Sequence, residues 1–331
     1  TLALALITGG GGFLGRALAH LLREKGYGVR SFARHRHPAL EAIGVVQVQG
    51  DLRNYEAVEG ACRGVDLVFH TAAKTGVWGG REAFAGVNVA GTHHVIAACR
   101  AQEVPRLVYT SSPSVVFDGS DHAAIDESVP YPDAYLAHYP ATKAAAEQLV
   151  RTAADVSLST ISLRPHLIWG PGDPHLVARI LERAARLRRI GDGRNLVDTT
   201  YIDNAAHAHL LAAERLSQRP SLSGRVYFIA NDEPMPLWEM IDAILAAGGK
   251  RPVNKQISSS AARRLGGIME WLYRSLRIRS EPPMTRFVAA ELATSHYFDL
   301  SAARRDLGYR PLVTVAEGLR RLAESLSEPK T

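Results

Sequence analysis

Tyr139 and Lys143 stand four residues apart in Tyr139-Pro140-Ala141-Thr142-Lys143. In a helix that spacing puts both side chains on one face, one turn apart. An ammonium beside a phenol favours the phenolate, so a group titrating near ~10 can exchange protons near neutrality. Upstream, Tyr109-Thr110-Ser111-Ser112-Pro113-Ser114 closes an apolar run, where Ser112 can hydrogen-bond a substrate oxygen and hold it within reach of the tyrosine. Taken singly these are weak signals, since Tyr–Lys spacings of four arise by chance and serines at strand ends often only cap turns. They gain weight from a glycine-rich loop at the start of the chain, Thr8-Gly9-Gly10-Gly11-Gly12-Phe13-Leu14-Gly15.

That loop follows an apolar strand and opens a helix, the context a dinucleotide pyrophosphate needs. Gly9 and Gly12 are expected to permit positive φ and close backbone approach, Gly15 to let the helix pack on the sheet, and Phe13 and Leu14 to present the first N–H groups. An NAD site places an acidic residue at the end of the second strand to hold both ribose hydroxyls. Here the chain reads Arg30-Ser31-Phe32-Ala33-Arg34-His35-Arg36, without Asp or Glu. Arg34, with Arg36 as second candidate, is suited to a 2′-phosphate, so the expected cofactor is NADP(H). Asp51-Leu52, after the third strand, is expected beside the adenine.

Short apolar runs alternate with helical patterns through the first half: strands over Leu2–Thr8, Gly28–Ala33, Val45–Gly50, Leu67–Thr71, Leu107–Ser111 and Ser159–Leu163, helices over Leu14–Lys25, Val87–Ala101 and Thr142–Ala154. This predicts an α/β fold, a Rossmann-type doubly wound parallel sheet, with ligands at the carboxyl ends of its strands. After Leu163-Arg164-Pro165 comes a breaker-rich loop, Gly170-Pro171-Gly172-Asp173-Pro174, then a helix over roughly Leu176–Arg189 and Pro-punctuated helices. The expected division is 1–167, with 198–230 returning to it, as the cofactor domain. Residues 168–197 and 231–331 form a smaller, mainly helical substrate lobe.

Composition bounds the function. The 331 residues are 46% hydrophobic and 22% charged, ordinary for a globular protein. Two cysteines, Cys62 and Cys99, make no disulfide framework and fit a reducing cytoplasm. The opening Leu2–Ile7 lacks a basic flank and runs into glycines, which reads as a buried strand rather than a leader. No apolar run is long enough to span a membrane. The net charge of +6 is dispersed and comes without a nucleic-acid motif, so nucleic acid is not an expected partner. His93-His94, His207 and His209 lack converging ligands, so no metal is expected.

With these residues assembled, the chain resembles the extended short-chain dehydrogenase/reductase family. The likeness runs through the Thr8–Gly15 loop, Asp51-Leu52, His70-Thr71-Ala72-Ala73, Asn88-Val89-Ala90-Gly91-Thr92, Thr110-Ser111-Ser112, Tyr139 to Lys143, Leu163-Arg164-Pro165 and Tyr201-Ile202-Asp203-Asn204. The resemblance implies that Tyr139 is the proton donor or acceptor, that Lys143 holds the nicotinamide ribose and that Ser112 orients the carbonyl or alcohol. It further implies that Ala72, Ala73 and Ser111 line the cofactor, with Pro165 and Leu167 at the nicotinamide carboxamide. Asn88 matches a position that is more often structural in extended members. Tyr109–Val116 and Tyr227-Phe228-Ile229-Ala230-Asn231-Asp232-Glu233-Pro234 look like the 3β-hydroxysteroid/sterol dehydrogenase branch. Four further stretches are similar to the 2-alkyl-3-oxoalkanoate reductases of bacterial long-chain olefin and β-lactone biosynthesis: Gly76–Gly79, Leu167–Asp173, Val197–Asn204 and Glu281–Phe287. Gly80 and His166 depart from that pattern.

The implied reaction is NADPH-dependent reduction of a ketone on a long-chain β-keto acid or another hydrophobic ketone. Its rivals are NAD-linked oxidation of a sterol, nucleotide-sugar epimerisation or dehydration, and a silent cofactor sensor. A homodimer or a complex with other enzymes of the pathway is compatible with the resemblance. Trp78 is expected to wall the substrate pocket, with Ser114 and His166 as further substrate residues. Arg164, Arg186 and Arg286 are unranked candidates for a substrate carboxylate. Within 261–279, Leu265, Ile268, Met269, Leu272 and Leu276 recur at helical spacing, with five arginines largely off that stripe. Three readings stay open: packing on the core, a lid over the substrate, or contact with a membrane surface.

Overall fold

The computed structural model describes residues 3–328, so the expected first strand residue, Leu2, lies outside it. Seven parallel strands form the main sheet, in the order Arg225–Ile229, Ser159–Pro165, Arg106–Thr110, Leu67–His70, Leu4–Thr8, Gly28–Ala33 and Val46–Gln49. The central strands are apolar without alternation, and Leu67–His70 is buried at every residue. A parallel sheet covered by helices on both faces demands that pattern. Strand order reverses between Leu4–Thr8 and Leu67–His70, which opens a crevice at their carboxyl ends. The fold is therefore the Rossmann-type α/β architecture expected, with a largely helical C-terminal part.

Two elements differ from the sequence reading in ways that bear on the site. The helix expected over Val87–Ala101 extends back to Arg81, and its middle turn, Gly86–Ala90, is π-helical. The wider turn carries buried Asn88, whose amide accepts from the Lys74 N–H at 2.7 Å and donates to the Lys74 carbonyl at 3.1 Å. It also donates to Thr142 Oγ1 at 3.0 Å, bracing the tyrosine helix, His138–Thr152. The helix from Leu176 stops at Arg183 and a short 3₁₀ turn follows. Arg189 instead pairs in a two-residue strand and bonds Asp242 at 2.6 Å.

The helix Ser259–Ser275 inverts the simplest of its three readings. Its buried face is Ala262, Gly266 and Glu270, not the leucine stripe. A Cβ at Gly266 would stand 2.6 Å from the Thr285 carbonyl carbon, so glycine alone allows this approach. Glu270 accepts from the Arg286 backbone N–H at 2.7 Å and from Arg286 Nε at 3.0 Å, capping the helix Arg286–Glu291. Leu265, Ile268, Leu272 and Leu276 face outward, so the stripe does not pack on the core.

Candidate active site

At the crevice, Gly9 has φ +73°, and a Cβ there would lie 2.9 Å from Ala72 Cα, so the loop and the Ala72-Ala73 segment touch. Gly15 permits the helix Phe13–Glu24 to sit on the loop, since a Cβ would fall 2.3 Å from the Gly9 carbonyl oxygen. Gly12 differs from the expectation of positive φ. It is extended, with φ −72° and ψ 173°, and serves as an N-cap without a side chain to bond. A Cβ at Gly12 would meet only the Gly9 oxygen, at 3.2 Å, and the helix that follows begins with the N–H groups of Phe13 and Leu14. Leu14 is buried and Phe13 packs beside the same core. These features fit a dinucleotide pyrophosphate.

The end of the second strand is basic. Arg34 is exposed after the second strand and has no ion-pair partner among the described residues, whereas Arg36 is paired with Glu41 at 3.1 Å. Arg53 bonds Asp51 through both carboxylate oxygens and pulls that carboxyl down to about 2, with Arg34 contributing. Leu52 is buried, its carbonyl within 2.7 Å of His94 Nδ1. His37 was not singled out from sequence, yet its imidazole lies directly over Gly11. The basic run Arg34-His35-Arg36 was the available signal for it.

The phenol of Tyr139, at the start of its helix, is half-buried and faces the Ser112 hydroxyl. Ser112 caps the short turn Pro113–Val116 and lies 2.9 Å from Ser114 Oγ. One helical turn on, buried Lys143 donates to the Thr110 carbonyl at 2.5 Å, with its ammonium 4.2 Å from the Tyr109 ring centroid. Burial pulls the lysine down to about 7, opposed by Glu147. The phenol moves the opposite way from the expectation: burial pushes it up to about 12, with Ser112 opposing and Glu291 adding to the rise. The Glu291 carboxyl is itself pushed up to about 7 by burial. No sequence signal pointed to Glu291, which stands 152 positions beyond Tyr139.

Ser111 is buried on the last strand residues' flank, its N–H bonded to the Leu163 carbonyl at 2.6 Å. Pro165 ends its strand, and Leu167 takes a left-handed φ of 44°, rare for a branched side chain. His166 is buried edge-on to His296 and Phe298, its Nδ1 2.5 Å from the Asp198 carbonyl. Arg164 is buried in a two-bond pair with Glu147 at 2.6 and 2.9 Å, which occupies its guanidinium internally. Arg186 is exposed on its 3₁₀ turn.

A groove of about 630 Å³ runs between the Val77–Gly80 loop, Tyr135–His138 and the end of the Ser259–Ser275 helix; its lining reaches His138, the residue before Tyr139, and includes neither Tyr139 nor Ser112. Trp78 stands in its wall, donating to the Ile278 carbonyl at 3.2 Å, with Arg274 5.6 Å from its ring. Arg274, Arg277, Arg279 and Arg286 line the groove against a single acid, Glu270. His166 and Ser114 are not among the lining residues.

The 3-beta hydroxysteroid dehydrogenase/isomerase family matches residues 6–257. The 2-alkyl-3-oxoalkanoate reductase of Stenotrophomonas maltophilia (strain K279a) is 52% identical over 97% of this chain and 98% of its own. The sterol-4-alpha-carboxylate 3-dehydrogenase (decarboxylating) of Mus musculus is 37% identical, over 96% of this chain and 90% of its own. The solved structure of MoeE5 in complex with UDP-glucose and NAD is 25% identical, superposes with a TM-score of 0.76 and covers 97% of each chain. The glycine cradle, the Tyr139–Lys143 turn and these matches agree: the chain belongs to the 3-beta hydroxysteroid dehydrogenase/isomerase family, oxidoreductases of the extended short-chain dehydrogenase/reductase type.

Proposed function

We propose that the chain reduces the 3-ketone of a long-chain 2-alkyl-3-oxoalkanoate to the 3-hydroxy acid, with NADPH as reductant. The carrying observation is the phenol of Tyr139 against the Ser112 hydroxyl, one helical turn from buried Lys143, whose ammonium bonds the Thr110 carbonyl. NADPH, when bound, supplies hydride from its nicotinamide ring. Ser112 donates to the carbonyl oxygen and polarises it. Tyr139 then delivers its proton to that oxygen as negative charge develops there, which completes the alcohol. Burial pushes the phenol up to about 12, so Tyr139 carries a proton to deliver at neutral pH. Lys143, placed at the Thr110 carbonyl, would hold the ribose hydroxyls of the bound cofactor.

Substrate class is supported by two relatives whose names place a carboxylate one carbon from the reacting centre, one on an alkanoate and one on a sterol. The surplus of arginine over acid in the groove suits such an anion, and Trp78, Val77 and Phe287 suit its alkyl chains. Arg34 supports NADP(H) over NAD. Initial rates with 2-alkyl-3-oxoalkanoates and with 3β-hydroxysterols, each with both cofactors, test the reading. Turnover of sterols with NAD alone would overturn it. Tyr139→Phe should lower kcat at least ~100-fold, and near-native turnover would remove the tyrosine from its role.

A further inference from the structure

The helix Ser259–Ser275 leaves its apolar side without a partner. Leu265, Ile268, Trp271, Leu272 and Leu276 are half of the ten large hydrophobic side chains exposed among the described residues. Ile268, Trp271 and Leu276 are each more than 60% exposed. Leu265, Ile268, Trp271 and Leu272 fall on one arc of the helix, opposite Ala262, Gly266 and Glu270, which face the protein, and Leu276 caps its C-terminal end. An isolated exposed leucine needs no explanation, but four large apolar side chains on one arc, one of them a tryptophan, with a fifth at the helix end, do.

The charge around the arc identifies its occupant. Arg263 and Arg274 flank it, Arg264 stands within it, Arg277 and Arg279 follow the helix end, and the only acid of the helix, Glu270, is buried. Four of these arginines have no ion-pair partner among the described residues, and Arg274 reaches Glu270 at 3.8 Å. A second copy of the chain, docked by the same face about a twofold axis, would oppose arginine with arginine. A lipid surface bearing anionic headgroups meets both demands, taking the apolar arc below the headgroups and pairing the arginines at their level.

We infer that this helix docks the protein on an anionic phospholipid surface. The same helix lines the groove that reaches His138, through Glu270, Tyr273 and Arg274, and Arg277 lines it from just past the helix end. Docking therefore brings the groove alongside the bilayer, from which a long-chain amphiphile can enter without crossing water.

Flotation of the full chain with vesicles tests this, and it needs no turnover, so the reductase reading stands or falls separately. Vesicles of phosphatidylcholine containing phosphatidylglycerol should capture the protein at least ~10-fold better than phosphatidylcholine alone, and high salt should release it. Ile268→Glu/Trp271→Glu and, separately, Arg263→Glu/Arg264→Glu should each abolish capture. Both pairs change exposed side chains outside the groove lining, and each variant should melt with the wild type. Absence of capture, or capture that survives both double variants, overturns the inference. A dimer in sedimentation that Ile268→Glu/Trp271→Glu splits, without vesicle capture, also overturns it by assigning the face to a second copy.

Discussion

Replacing Arg34 by alanine should separate the two cofactors. The side chain is exposed and free of acidic partners, so its loss opens no cavity and strands no buried charge. NADPH differs from NADH by a 2′-phosphate, and a guanidinium hydrogen-bonded to a phosphate contributes about 1.5–3 kcal/mol. Because this position is solvated, the lower end applies: about 1.5 kcal/mol, or ~12-fold in Kd for NADPH, with NADH almost unchanged. Arg36 is the internal control. It already pairs with Glu41 at 3.1 Å, with both side chains more than half exposed, so Arg36→Ala should shift either Kd less than ~3-fold. Arg34→Glu goes further, since it restores a carboxylate where an NAD site keeps one and repels the 2′-phosphate. Fluorescence titration of each reduced cofactor reads these constants without substrate. Equal losses for the two cofactors, or a larger effect at Arg36, would place the phosphate elsewhere and refute the NADP(H) assignment.

Two further predictions concern the scaffold. Gly15→Ala forces a Cβ to within 2.3 Å of the Gly9 carbonyl oxygen, so it should cost about 1–3 kcal/mol and weaken both cofactors, whereas Gly60→Ala, with nothing within 4 Å, should raise Tm slightly. Acid should destabilise the protein well above the carboxylate range. Burial holds His70 at about 3, His166 and His209 at about 4, and His296 well below its ordinary value. These four stay neutral in the fold while the unfolded chain protonates below ~6.5. Asp198 and Glu291, both pushed up to about 7, take up protons in the fold and offset two of them. The difference grows towards two protons as the unfolded imidazoles fill, so stability should fall ever more steeply from pH ~6.5, by up to about 2.7 kcal/mol per pH unit as pH nears 5. A Tm that is flat or rising across that interval in calorimetry would contradict the burial of those imidazoles.

How far the site could be read in advance depended on the range of the forces involved. The sheet strands were legible because burial on both faces leaves a continuous apolar run, as in Leu67–His70, and Gly28–Ala33 was bounded correctly. Two-residue strands such as Arg189–Ile190 carry no such signature, since their pairing is decided by Arg189 reaching Asp242 and the Val253 carbonyl. The Tyr139–Lys143 pair was legible because helical geometry alone brings it together. The direction of the phenol's shift was not. It is set by burial and by Glu291, and neither is visible from the neighbours of Tyr139 in sequence.

The helix Ser259–Ser275 shows the same division most clearly. Periodicity establishes which residues share a face, but not which face the protein covers. Two stripes were present: the leucines, and Ala262, Gly266 and Glu270 at intervals of four. Hydrophobicity favours burying the first. The second wins because Gly266 lets the Thr285 backbone approach where no Cβ would fit, and because Glu270 caps the first turn of the Arg286–Glu291 helix while bonding the Arg286 guanidinium. Those contacts join this helix to residues up to twenty positions further along the chain, so they become readable only when the turn between them is known. Small residues paired with an acid at i, i+4 and i+8, facing an apolar stripe rimmed by arginines, are then the mark of a helix that packs by its polar edge and keeps its apolar side for another surface.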